Sequence, residues 1–251
     1  MIRQRLGKDL LFFDGGMGTL LQEKGLAPGE LPETWNLTHS EEIYKIHRQY
    51  IEAGSDIILT NTFGANALKF HDDSCSLEEI IKAAVSHVKK AEREALLQTG
   101  DERKIYTALD VGPTGKLLKP MGDLEFETAY EAFKEVVILG EQAGADLIHI
   151  ETMSDTYELK AAVLAAKENT SLPVFATVIL DERKKLLTGA DVSSVVALLE
   201  GLGVDALGIN CAMGPKEMLP VLEELIKYSS VPIIVKPNAG LPKQRDGKTY
   251  Y

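Results

Sequence analysis

The stretch Leu10-Leu11-Phe12-Phe13-Asp14-Gly15-Gly16-Met17-Gly18-Thr19 decides between the two architectures open to this chain. A short apolar run reads as a buried strand, and it breaks abruptly into an acid and two glycines. In an open doubly wound sheet this first turn would carry G-x-G-x-x-G for a dinucleotide, and here it does not. A (β/α)8 barrel is the better reading. The same grammar recurs in DIILT (56–60), IYTAL (105–109), LIHI (147–150), VFATVIL (174–180), ALGI (206–209) and PIIVK (232–236). Each is a buried-strand pattern, giving seven runs where a complete barrel needs eight.

Helical periods fill the intervals, so the strands are joined as parallel βα units. Thr38-His39-Ser40-Glu41 has the form of a capping box, followed by Ile43, Ile46, His47, Tyr50 and Ile51 on one face and Gly54 as a stop. Ser76-Leu77-Glu78-Glu79 opens a second helix. Others are expected over 125–143, 156–168, 192–202 with Asp191 as cap, and 215–228 with Pro215 in the first turn. The polar end, Lys248-Thr249-Tyr250-Tyr251, supplies no eighth run. The expectation is one α/β domain over 1–251, a TIM (β/α)8-type barrel truncated after its seventh strand.

Composition narrows the function classes. The 251 residues are 45% hydrophobic and 26% charged, as in ordinary globular chains, which argues against disorder. Thirty-eight acidic residues against 27 basic ones give a net charge of -11, and no dense basic cluster is present to track a phosphate backbone, so nucleic acid is not an expected partner. The N-terminal apolar run is shorter than a secretory core, and no window reaches the roughly 18–20 apolar residues of a membrane span. Two cysteines, Cys75 and Cys211, are too few for a disulfide framework, which fits a cytoplasmic protein.

Polar or glycine-rich residues follow nearly every run: Asp14-Gly15-Gly16, Asn61-Thr62, Asp110, Glu151-Thr152, Asn210-Cys211 and Asn238-Ala239-Gly240. In a barrel all converge on the C-terminal rim, where active sites are built. Each alone is also ordinary turn or cap chemistry; the set is what points to a site. Asp14 and Glu151 are the acidic pair to single out, since a carboxylate buried at a strand end needs a cation, and a substrate ammonium would serve. A hydrolytic acid–base pair is the competing reading, decided by their separation. Gly15, Gly16 and the loop Gly112-Pro113-Thr114-Gly115 offer backbone N–H groups to an anion, or simply form turns. His149 reads as a barrel-lining or core residue. Cys211 in GINCAMGP is either a small buried apolar residue or a metal ligand or nucleophile. Cys75 reads as a bystander, and His71 and Asp72 beside it match no standard zinc spacing.

DGGMGT with ETWNLT, then TNTF, GPTG, the Glu151 position, GINC and PNAGLP together resemble the homocysteine S-methyltransferase domain, over Asp14 to Pro242. PNAGLP is most similar to the branch that opens cobalamin-dependent methionine synthases. The resemblance implies a (β/α)8 barrel that holds Zn2+ on three cysteine thiolates, with the substrate sulfur in the fourth position. Cys211 would be one ligand and the catalytic centre, and the other two lie in a GGCC motif on the eighth strand that this sequence does not contain. Coordination would deprotonate a thiol whose ordinary pKa is about 8.5. The thiolate of L-homocysteine would then take a methyl group from methylcobalamin carried on another module, with folate- and cobalamin-binding modules as partners in a longer chain. The family pattern assigns Asp14 and Glu151 to the substrate amine, and Gly15, Gly16, Asn61, Asp110, Gly112, Asn210 and Asn238 to the pocket. Betaine or S-methylmethionine as donor, and an inactive barrel fragment with open edges, are the alternatives. A generic phosphate-binding barrel is weaker, since the usual phosphate loops follow strands seven and eight.

Overall fold

The computed structural model describes residues 1–70, 75–100, 102–240, 243–245 and 248–250; His71 and Asp72 lie outside the described residues. Six strands, β1 (Ile57–Leu59), β2 (Tyr106–Val111), β3 (Leu147–Met153), β4 (Val174–Val178), β5 (Ala206–Asn210) and β6 (Ile233–Lys236), form one parallel sheet in chain order. The first apolar run lies beside β1 in the place of a leading strand, but its ladder is reduced to a single bridge, Phe13 to Ile57. Phe12 O accepts from Asp56 N at 2.7 Å and from Ile57 N at 3.0 Å, and Asp14 N donates to Ile57 O at 3.0 Å. Leu10 and Phe12 remain exposed, so nothing on the far side of this run holds it in a full ladder. Six of the seven expected runs are strands of the sheet; the first is not a buried strand but an extended segment held to β1 by one bridge. The residues at 243–245 and 248–250 pair as a short antiparallel hairpin, β7 and β8, separate from the sheet.

The helices are α1 (Met17–Glu23), α2 (Trp35–Thr38), α3 (Ser40–Glu52), α4 (Leu77–Thr99), α5 (Phe126–Ala143), α6 (Thr156–Asn169), α7 (Val192–Gly201) and α8 (Pro215–Tyr228). Ser76 Oγ accepts from Glu79 N at 3.2 Å while Glu79 accepts from Ser76 N at 2.8 Å, a reciprocal cap. Asp191 caps α7 through Ser194 N at 3.0 Å. The expected box at Thr38 does not form: Thr38 ends α2, its hydroxyl donating to Thr34 O at 3.1 Å, and α3 starts after His39 without a side-chain cap. The preceding short helix has already claimed Thr38. Among the described residues no helix is long and apolar enough to cross a membrane.

Strand alternation separates two apolar layers. Ile57, Leu59, Tyr106, Ala108, Leu147, Phe175, Ala206 and Ile234 face the barrel interior, where Ile2 from the N-terminal turn joins them and closes the lower end. Leu109, Val111, Ile148, Ile150, Ala176, Val178, Leu207 and Ile209 face the other way, against the helices. The inward rows continue upward into polar side chains. Tyr106 and Ala108 lead to Asp110, Leu147 and His149 lead to Glu151, and Ile234 leads to Lys236.

Candidate active site at the C-terminal rim

A cavity of about 830 Å3 runs along the inner face of the strands, from Leu6, Ile57, Phe175 and Ala206 below to Asp14, Glu33, Asp110, Glu151, Cys211 and Lys236 at the rim. Its carboxylates are nearly buried: Asp14 is 8%, Asp110 7% and Glu151 8% exposed. A buried carboxylate must find a cation, a hydrogen-bond donor or a proton. Glu151 has the cation. Its Oε2 accepts from Lys236 Nζ at 2.5 Å, and His149 Nε2 lies 3.3 Å from the same oxygen. Burial alone would raise the Glu151 pKa, but Lys236 and His149 outweigh it and hold the group down to about 2. Burial works against the charge on Lys236 too, and Glu151, Asp110 and Asp14 more than restore it.

Asp14 and Asp110 are in the opposite state. Asp14 Oδ2 accepts from Leu59 N at 3.0 Å, but Oδ1 is buried without a partner, as is Asp110 Oδ1. Burial pushes Asp14 up to about 7 against the pull of Lys236. Burial and the nearby Glu151 push Asp110 well above the ordinary carboxylate range. Each thus presents a buried oxygen that an incoming cation could satisfy. His149 is fully buried, 5.0 Å from the Phe13 ring centroid, and burial lowers its pKa, so it lines the interior as a neutral ring.

Cys211 stands beside this cluster on a turn with unusual backbone. Cys211, Ala212 and Thr152 have φ of 53°, 57° and 64°, a left-handed region that non-glycine residues seldom enter. Asn210 holds the turn: its Oδ1 accepts from Thr152 N at 3.0 Å and Thr177 Oγ1 at 2.9 Å. Its Nδ2 donates to Thr152 Oγ1 at 2.8 Å and to Cys211 Sγ at 3.3 Å. Cys211 N donates to Lys236 O at 3.0 Å, which ties the thiol turn to the strand that carries the lysine. Burial first and Glu151 second raise the thiol pKa, so the protein alone does not make this sulfur a thiolate at neutral pH.

The other sequence-named positions have separate duties. Asn61 Nδ2 donates to Pro32 O at 2.8 Å and to Asn36 Oδ1 at 3.3 Å, locking the rim loops together. A side chain on Gly112 would meet the Phe63 carbonyl at 2.6 Å, and Gly112 N already donates to Phe63 O at 3.0 Å. Thr114 N is taken by Glu158 Oε1 at 2.7 Å, so neither of these N–H groups of the GPTG loop is offered to an anion. Gly15 lies where a Cβ would fall 2.7 Å from the Tyr50 hydroxyl, which donates to Gly16 O at 3.2 Å. Asn238 lines the cavity and its N donates to Met213 O at 3.1 Å. Cys75 packs at the edge of the outer core and does not line the cavity.

Two charged residues escaped the sequence reading. Lys236 passed as the polar end of an apolar run, although a lysine on an inward row is a buried cation. Glu33, 3% exposed, accepts from Gly64 N at 2.6 Å through Oε1 and leaves Oε2 buried without a partner. A three-residue helical turn, Pro32–Thr34, brings it to the cavity, and no period of that length is legible in sequence.

Cys211 offers one thiol, and among the described residues no group of three or more His, Cys, Asp or Glu is placed to hold a metal ion. The described side chains do not by themselves make a zinc site. Comparison with known proteins gives the family. The chain is 34% identical over 250 residues to methionine synthase of Mycobacterium leprae and 34% identical over 248 residues to that of Mycobacterium tuberculosis. These matches cover 95% and 94% of the chain but 21% of each relative, so the chain spans about a fifth of their length. The metallated form of the homocysteine methyltransferase MmuM from Escherichia coli superposes with a TM-score of 0.83 at 25% identity, covering 93% of this chain and 85% of that one. That likeness gives the curled sheet its place as most of a TIM-type barrel. Its profile matching residues 11–251, the chain belongs to the homocysteine S-methyltransferase family.

Proposed function

We propose that this chain is the acceptor-binding barrel of a methyltransferase that methylates L-homocysteine to methionine, with methylcobalamin as donor. The observation that carries the acceptor is the placement of the Cys211 turn and the Asp14–Asp110 pair on one cavity. A ligand with an ammonium at one end and a sulfur at the other answers both. Asp14 and Asp110 would receive the ammonium, and Glu151 acts with them through its pair with Lys236. The substrate sulfur would lie toward Cys211; its proton passes to solvent, the sulfur lone pair forms the new S–CH3 bond, and the electron pair of the broken donor–methyl bond stays with the donor.

Zinc, methylcobalamin, folate- and cobalamin-binding modules in a longer chain, and a cytoplasmic setting enter this reading through the family. Cys211 would give zinc one thiolate. A small methylsulfonium or betaine in place of methylcobalamin is the alternative donor for the same acceptor site. The test is to incubate the chain with L-homocysteine and, separately, methylcobalamin, betaine and S-methylmethionine, and to quantify methionine. Methionine from methylcobalamin alone is expected. Methionine from another donor alone would replace the donor, and an absence of both turnover and homocysteine binding would overturn the acceptor reading.

A further inference from the structure

Lys236 is the one cationic side chain lining the cavity among the described residues, and its charge is held by the carboxyl groups of Glu151, Asp110 and Asp14. A lysine ammonium has three donors. One goes to Glu151 Oε2 at 2.5 Å, and the Phe13 ring centroid lies 5.1 Å from Nζ. Among the described residues no second hydrogen-bond acceptor takes the remaining N–H groups. An α-amino acid carries its carboxylate one carbon from its ammonium. Once Asp14 and Asp110 take the ammonium, the ligand's carboxylate enters a space lined by acids, where Lys236 is the cationic side chain that attracts it.

We infer that Lys236 anchors the substrate's α-carboxylate, so that the cavity selects a zwitterionic amino acid over an aminothiol without a carboxylate. The inference rests on the homocysteine reading and adds the group that recognises the substrate's other charged end. The same ammonium pairs with Glu151, which lowers the negative charge that a carboxylate meets.

The experiment is a cycle of ligand and side chain. Dissociation constants for L-homocysteine and for 3-aminopropane-1-thiol, which lacks only the carboxylate, are measured by calorimetry on the native chain, K236M and K236R. Both ligands carry the same thiol, so whatever the sulfur site contributes cancels in their ratio. The native chain should prefer homocysteine by roughly 10- to 100-fold, the range of a hydrogen bond to a charged group. K236M should bring the ratio to parity or below, and K236R should restore most of it. Because K236M leaves Glu151 buried without its cation, the double variant E151Q/K236M is measured alongside, and it should show the same loss of preference. A ratio unchanged in both K236M and the double variant would overturn the inference while leaving the homocysteine reading intact. Failure of the native chain to bind either thiol would overturn both.

Discussion

The two ends of the same strands are built on opposite principles. At the lower end Ile57, Tyr106, Leu147, Phe175 and Ala206 meet Ile2 in an apolar cluster. At the rim, Asp14 and Asp110 at the strand ends and Glu33 on the Pro32–Thr34 turn hold buried oxygens without partners. The lower end fixes the shape, and the rim holds charge that a ligand can satisfy. In βα barrels this division lets loops and strand ends vary their chemistry while the apolar cluster stays intact.

The contrast can be broken from either side. The largest effect is expected at the apolar cluster: Phe175→Ala removes a fully buried ring and should cost about 3–5 kcal/mol in chemical denaturation. Next comes the pH dependence set by Asp14. Its folded pKa of about 7 lies above the ordinary aspartate value of 3.8, so the folded state binds the extra proton. Stability from this group is full below the unfolded pKa and is lost as pH rises from about 4 to about 7. Asp14→Asn should abolish roughly 2–4 kcal/mol of that decline, read from denaturation midpoints at pH 4 and pH 7.5. An identical slope in the variant would mean that Asp14 is already ionised in the folded state. Glu151→Ala leaves Lys236 without its carboxylate and should weaken homocysteine binding by about 10- to 100-fold by calorimetry. Unchanged affinity would remove Glu151 from the site. Smallest is Leu10→Ser: Leu10 is 79% exposed, and the melting stability should move by no more than about 0.5 kcal/mol.

Much of this contrast is written in the sequence because strand ends obey simple rules. Short apolar runs placed β1 to β6, and the acids that follow three of the runs, Asp14, Asp110 and Glu151, are buried at the rim, while Asp181 after another is exposed. The helix over 215–228 and the caps at Ser76 and Asp191 were legible because their chemistry is local. What was not legible depends on contacts far along the chain. The Lys236–Glu151 pair joins residues 85 apart, and nothing near either residue announces the other. The left-handed backbone at Thr152, Cys211 and Ala212 is imposed by Asn210, against the preference of each residue. Thr38 misled because a capping box is a local pattern, and a neighbouring four-residue helix used the same threonine first.

That left-handed pair at Cys211 and Ala212 has a consequence for how the chain tolerates change. Each non-glycine residue held there stores on the order of 1–3 kcal/mol of backbone strain. Glycine at 212 would release it, so a search for heat-hardy variants should enrich Ala212→Gly, and its melting temperature should rise. The same substitution slackens the mount on which the thiol is aimed. Selection for durability alone would thus drift toward a tougher barrel with a loosely sighted sulfur, which holds the residue at alanine only where accuracy is also under selection.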